Sequence, residues 1–325
     1  MRKMTYEEFK EYVKDHVIEY LPEEFQDATV NISQVPKTNR MMDCVMICAK
    51  HKDKGKHKYG ISPSIYLEPM YQLYLECEDL SEAMRSISEQ FLRYEMDFED
   101  QTEVLEYVEE VLKNPNAFIH FRVVNYEMNE EMLKGIPHRK MLDLAITYHI
   151  SLETKGIYGD IIIDHYLMNR LGFSEEQLFQ IAYNSTRILT KPEVTDIRRM
   201  LLGMMKDEEI DSMSEGELTL VCEALGMCPQ ERNMYVLTNK ERRYGASSFL
   251  YYDLLAELAR KWNSDLYVLP SSVHEMVIVS TKDLDLDVVK EMNYEVTHSR
   301  ESDIGEFLSD KVYRFFADER KLMIA

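Results

Sequence analysis

Glycine and proline are scarce in this 325-residue chain, at 11 and 9 positions, and tryptophan occurs once. Its few glycines form neither a Walker loop nor a Gly-x-Ser-x-Gly elbow, so two common devices for cradling phosphate or presenting a nucleophile are missing. The five cysteines (Cys44, Cys48, Cys77, Cys222, Cys228) are odd in number and sparse, which argues against a disulfide framework and for reduced thiols. No stretch approaches the ~18–20 uncharged apolar residues of a membrane-spanning helix. The run Ile161–Ile163, for example, is closed by Asp160 and Asp164. Positive charge is also in short supply: 38 Lys+Arg face 59 Asp+Glu, a net charge of −21. A field of that sign repels polyanions, so neither nucleic acid nor an anionic membrane is an expected partner. The first residues run directly into a charged helix without an apolar signal core, and a cytoplasmic location is expected.

What is present is enough to fold, because 45% of residues are hydrophobic. Thr5 and Glu8 form a capping-box pattern ahead of an apolar face through Phe9, Val13, Val17 and Tyr20, a helix that Pro22 should stop. Strand-like runs follow at Ala28–Val35, Met41–Ala49 and Tyr59–Leu67, with Asp53-Lys54-Gly55-Lys56 as a hairpin tip, then helices at Leu67–Glu76 and Leu80–Tyr94. An acid-rich amphipathic helix leads to the breaker Asn114-Pro115-Asn116. Beyond it, strands are expected at Phe118–Val124 and Met141–Ile150, and a turn at Gly156 and Gly159. Helices should start at the Ser174–Gln177 capping box, at Thr190-Pro192-Glu193, and at Ser214–Glu217, the last stopping at Gly226. The remainder alternates strands (Met234–Thr238, Leu266–Leu269, Met276–Val279, Val312–Phe316, Leu322–Ile324) with helices (Tyr251–Trp262, Asp285–Met292). Adjacent strands without a regular βαβ beat indicate an α+β fold. The expected organisation is an N-terminal helix–three-strand–helix module over 1–98, an acidic helical connector over 99–116, and a larger α+β domain over 117–325.

Four blocks carry a resemblance: Ile61–Leu67 (Ile-Ser-Pro-Ser-Ile-Tyr-Leu), Met234–Lys240 (Met-Tyr-Val-Leu-Thr-Asn-Lys), Gly245-Ala246-Ser247-Ser248, and Leu269–Glu275 (Leu-Pro-Ser-Ser-Val-His-Glu). Through them the chain resembles an uncharacterised domain-of-unknown-function family of cytoplasmic proteins from anaerobic gut Firmicutes. A looser likeness over Tyr148–Asn184 links it to a second uncharacterised bacterial family. Neither resemblance implies an activity, a cofactor or a catalytic residue.

The chemistry-bearing candidates are local. Ser271, Ser272, His274 and Glu275 lie between two apolar strands, where a His beside a Glu could move protons, or where the same groups could satisfy backbone at a turn. Gly245–Ser248 could permit close backbone approach before a helix, where amides could meet an anion, but a strand-to-helix turn that simply needs glycine is the expected reading. Cys44, Cys48, His51 and His57 have zinc-binding types, but Cys44 and Cys48 would stand about 13 Å apart at ~3.3 Å per strand residue, so buried thiols are expected instead. Asp160, Asp164 and His165 could gather round a cation or serve a turn and a helix start. Asp283, Asp285 and Asp287 imitate a calcium loop without its glycine. No metal or cofactor is expected. Lys50, Lys52, Lys54, Lys56 and Lys58 form a basic island that could bind phosphate or an acidic partner, or protect a sheet edge from aggregation.

The absence of nucleotide loops, metal motifs and nucleophile elbows leaves the function open and favours a non-catalytic adaptor or chaperone-like protein with a protein partner. The alternative is a hydrolase or transferase, with His274 as acid or base, Glu275 orienting it, and Ser247 or Ser272 as nucleophile or binding hydroxyl. A further alternative is a phosphate-ligand sensor using the lysine hairpin.

Overall fold

The computed structural model describes residues 3–48, 63–94, 98–154, 157–203, 213–224, 234–298 and 304–325. The lysine island from Lys50 to Lys58, with His51 and His57, lies outside these residues, as do Gly226 and Cys228. The fold is α+β, and the chain divides into two units, Met1–Lys113 and Asn114–Ala325.

In the first unit the capping box forms: Thr5 N–H donates to Glu8 Oε2 (2.7 Å) and Glu8 N–H to Thr5 Oγ1 (3.3 Å), opening α1 (Tyr6–His16). The α-helix ends before Pro22, because Val17–Tyr20 tighten into a 3-10 turn. The β-branched pair Val17-Ile18 is stiff at χ1, which weakens helix propagation there. An antiparallel sheet follows in the order β1 (Thr29–Lys37), β2 (Arg40–Cys48), β3 (Ser64–Tyr66). Helices α2 (Leu67–Cys77), α3 (Leu80–Tyr94) and α4 (Phe98–Lys113) complete the unit. Phe9 and Val13 of α1, Val45 and Ile47 of β2, Met70 of α2 and Phe91 of α3 share one core. The expectation of two buried thiols holds for Cys44 alone. Cys48 is exposed at the end of β2, beyond the stretch that β3 covers.

The second unit holds two antiparallel sheets. The four-stranded one is centred on β6 (Leu144–Thr154), with β4 (Ile119–Asn125) along one side and β5 (His138–Met141) and β7 (Ile157–Ile162) sharing the other. A short α5 (Glu130–Leu133) sits in the β4–β5 connection. Gly159 is not in a turn, as expected from sequence, but lies within β7 opposite Leu152. Asp164 caps α6 (His165–Leu171), and Ser174 with Gln177 forms the capping box of α7 (Glu175–Leu189). This helix closes the free edge of β4: Thr186 Oγ1 accepts from Phe121 N–H (3.1 Å), and Ser185 Oγ donates to the Ile119 carbonyl. Hydroxyls in mid-helix thus satisfy strand groups that would otherwise be unpaired.

The helix expected at Thr190-Pro192-Glu193 is instead strand β8 (Pro192–Asp196), followed by α8 (Ile197–Gly203) and α9 (Glu215–Ala224). Pro192 is the first residue of an edge strand, a position where a missing N–H costs no ladder bond. The rest of the unit comprises β9 (Met234–Asn239), α10 (Tyr252–Trp262), β10 (Leu266–Ser272), β11 (Glu275–Ser280), α11 (Leu286–His298), β12 (Tyr313–Phe316) and β13 (Lys321–Ile324). The larger sheet runs β13-β12-β10-β11-β9-β8. Polar bonds, one of them fully buried, join the two sheets. Asp143 accepts from Tyr313 Oη (2.7 Å) and Ser309 Oγ (2.5 Å), and Asn125 Nδ2 donates to the Leu308 carbonyl (2.9 Å).

One core position is mismatched. Asn293 of α11 is 1% exposed, and neither its side-chain oxygen nor its nitrogen has a hydrogen-bond partner. Leucine has nearly the same shape and carries no polar atoms to desolvate. Asn293→Leu should therefore stabilise the second unit by about 1–3 kcal/mol, the penalty of a buried unsatisfied group. A urea titration should show a higher midpoint at unchanged slope; a lower midpoint would mean that the fold needs the amide.

Candidate functional site

The site grows from strand alternation. In β4, Ile119, Phe121 and Val123 alternate with His120 and Arg122; in β6, Tyr148 and Ile150 alternate with Thr147, His149 and Ser151. The register sets His120 opposite His149, Arg122 opposite Thr147, and Ser151 opposite Asp160 of β7. Since side chains at alternate positions share a face, one face of this sheet is polar over three strands.

On that face Asp160 bridges two partners: Oδ1 lies 3.2 Å from His120 Nε2, and Oδ2 pairs with Arg122 Nη2. The His120 and His149 rings stack with centroids 5.6 Å apart, and His149 Nε2 meets Thr147 Oγ1 at 2.9 Å. His120 Nδ1 and Arg122 Nε are buried without a hydrogen-bond partner. Burial pushes the Asp160 carboxyl up, but the His120 hydrogen bond and the Arg122 charge outweigh it and hold the group well below the usual carboxylate range. Burial, reinforced by the neighbouring Arg122 and His120, holds the His149 imidazole well below its ordinary value, so it is neutral at pH 7.

Across this face lies the segment from Asn239 to Ser247. The Arg122 guanidinium sits 3.6 Å from the centroid of the Tyr244 ring, a cation–π contact. Arg242 (φ 51°) and Tyr244 (φ 53°) both occupy the left-handed region, which side-chain-bearing residues rarely adopt. Asn239 ties the loop from both ends, donating to the Arg243 carbonyl (2.8 Å) and accepting from Arg243 N–H (3.2 Å). Gly245 allows the close approach. A Cβ there would collide with Thr238 Oγ1 and lie 2.6 Å from Asn239 N and 2.8 Å from the His274 carbonyl oxygen.

Between the sheet face and this loop lies a cleft of about 420 Å³. His120, Arg122 and Asp160 form its floor, and Arg243, Glu153 and Glu241 bring charge to its walls. Arg243, Glu153 and Glu241 are exposed and make no ion pair among the described residues. Thr190, placed by the turn into β8, and Ser247 also line it.

The residues singled out from sequence fall around this cleft. Ser247 lies in it and donates to the Tyr244 carbonyl (3.1 Å). His274 stands behind the loop: Nδ1 accepts from Tyr244 N–H (3.0 Å), and Nε2 is 3.5 Å from Glu306. Ser272 Oγ accepts from His274 N–H (3.1 Å), a local turn bond. The Glu275 carboxylate is 3.5 Å from Ser271 Oγ. Asp160, Asp164 and His165 do not share a site, because Asp160 faces His120 and Arg122 while Asp164 caps α6 through Leu167 N–H (2.6 Å). Among the described residues no group of three or more His, Cys, Asp or Glu is gathered closely enough to hold a metal. Sequence reasoning missed His120, Arg122 and His149, and also Arg243, Glu153 and Glu241. The signal of the first three was polar residues at alternate positions of otherwise apolar strands.

Two tests address this geometry. Gly245→Ala should cost at least about 1–3 kcal/mol, since the colliding groups include backbone that cannot rotate away; an unchanged melting temperature would show that the loop relaxes freely. His149 governs an acid limb. Its folded-state value lies below the unfolded one of ~6.5, so the unfolded chain binds the extra proton, and stability is complete above that pH and lost as pH falls below it. His149→Gln should flatten the stability difference between pH 7.5 and pH 5 measured by chemical denaturation. A variant with the wild-type slope would contradict the burial of a neutral imidazole.

No curated protein and no solved structure matches the chain. Among the described residues, no helix is long and apolar enough to cross a membrane. A family model does match, over residues 6–316, and so spans both units. The chain belongs to DUF5688, a family of unknown function.

Proposed function

We propose that the second unit binds a small polar ligand in this cleft and holds an anionic group of it through Arg243. The observation that carries the reading is the backbone around that arginine. Two non-glycine residues in the left-handed region flank it, and each such residue costs about 1–3 kcal/mol unless its surroundings enforce it. Backbone strain of this kind concentrates at ligand clamps, where it sets the backbone before the ligand arrives. The cleft volume also lies in the range of small-molecule sites, about 300–1,000 Å³.

The expectation of an adaptor with a protein partner rests on motifs the sequence lacks, whereas the cleft is a positive feature, and the proposal moves there. His274 and Ser272 support the site from behind by bracing Tyr244, and Ser247 lines the cleft.

Thermal-shift screening of the full chain against small carboxylates, phosphates and amino acids tests the proposal. A ligand at 100 times its Kd should stabilise by about 2.7 kcal/mol. Arg243→Ala should remove that shift while leaving the unliganded melting temperature unchanged, because the side chain is exposed. If no compound shifts the wild type at millimolar concentration, or if the shift survives Arg243→Ala, the proposal fails.

A further inference from the structure

The charges around the cleft narrow the ligand class, in an inference that rests on the cleft being a ligand site. Arg122 does not act as a free cation, because Asp160 neutralises it and the Tyr244 ring covers it. What remains for a ligand is the Arg243 guanidinium and the carboxylates of Glu153 and Glu241, all exposed and without ion pairs among the described residues. A simple anion would gain one cation and meet two carboxylates. A simple cation would gain the carboxylates and meet Arg243. A polyphosphate would fare worse still, in a protein of net charge −21.

Only a molecule carrying both signs places each charge against its opposite. Specificity arises from such pairing because the wrong ligand leaves a charge facing its like. We infer that the cleft takes a small zwitterion bearing a carboxylate and an ammonium, the chemistry of a free α-amino acid or a short peptide. Arg243 receives the carboxylate as a two-pronged donor, as guanidinium geometry favours. Glu153 and Glu241 receive the ammonium, which three N–H donors suit to more than one carboxylate.

Isothermal titration of the full chain tests this. The probes are the common amino acids, glycylglycine, the N-acetyl and the amide forms of whichever binds best, and inorganic phosphate. The expected result is a free amino acid or the dipeptide that binds at least tenfold more tightly than its N-acetyl form and its amide form. Free amino acids and glycylglycine form separate arms, so the tighter arm identifies the source of the zwitterion. Arg243→Ala should weaken that ligand at least tenfold. Glu153→Gln combined with Glu241→Gln should also weaken it tenfold, yet leave the N-acetyl form unaffected. All the substituted side chains are exposed, and an unchanged melting temperature verifies folding. If phosphate or the N-acetyl form binds as tightly as the free amino acid, and Arg243→Ala weakens it, the zwitterion inference is overturned while the cleft reading stands. If no probe binds, or Arg243→Ala changes nothing, both fall.

Discussion

The Asp160 carboxylate is the group on which the second unit's polar sheet face depends. Two histidines and an arginine stand side by side on the neighbouring strands β4 and β6, positions where apolar side chains are ordinarily placed. Asp160 makes that arrangement tolerable by giving Arg122 a counter-charge and His120 a hydrogen-bond acceptor at once. Removing one partner of a fully buried pair costs about 3–5 kcal/mol because the other charge is stranded. Here the side chains are 14% and 26% exposed, which lowers the cost but leaves its sign unchanged. His149 is then held neutral by its burial, with the neighbouring Arg122 charge acting in the same direction.

The strained loop is the counterpart of that face. Tyr244 lies over Arg122 from a backbone in the left-handed region, a conformation that is unfavourable in isolation. Several interactions offset the strain. Asn239 binds Arg243 at both backbone groups, His274 accepts the Tyr244 amide, Thr238 Oγ1 holds the His274 carbonyl at 2.8 Å, and Gly245 leaves no side chain in the way. The hairpin between β10 and β11 thereby gains a role beyond joining strands, as the brace for a cleft wall. The polar cluster in its turn is explained by the same bonds: Ser272 orients the His274 backbone, and His274 reaches the loop.

Much of this fold was legible because its signals are local. Thr5 with Glu8 and Ser174 with Gln177 each announce a helix start within four residues, and both capping boxes form. Gly245 was legible as a point of close approach, although the partners of that approach were not. Pro192 misled, because the same residue begins helices and edge strands, and only the pairing of β8 with β9 decides between them. The cluster in which His120, Arg122 and His149 meet Asp160 was not legible, for a different reason. Its members are spread over 41 positions of sequence, from His120 to Asp160, and meet only through the register of β4, β6 and β7. Nothing local tells which strands will be neighbours, so alternation could reveal a polar face but not its partners.

The whole-chain charge and the local chemistry act in the same direction. An excess of carboxylates repels nucleic acid and polyphosphates at long range, where screening leaves only a field of about 8–10 Å reach. Within that reach the cleft carries both signs, so a molecule with no net charge suffers no long-range repulsion and still finds oppositely charged contacts on arrival. Binding of such a molecule would depend weakly on salt for its approach and strongly on the geometry of the arginine that the loop holds. Backbone strain, bracing by the β10–β11 turn and neutralisation of Arg122 by Asp160 are then parts of one arrangement: they hold the backbone of Arg243 at the rim of a cleft that Glu153 and Glu241 also line and whose Arg122 charge is already compensated.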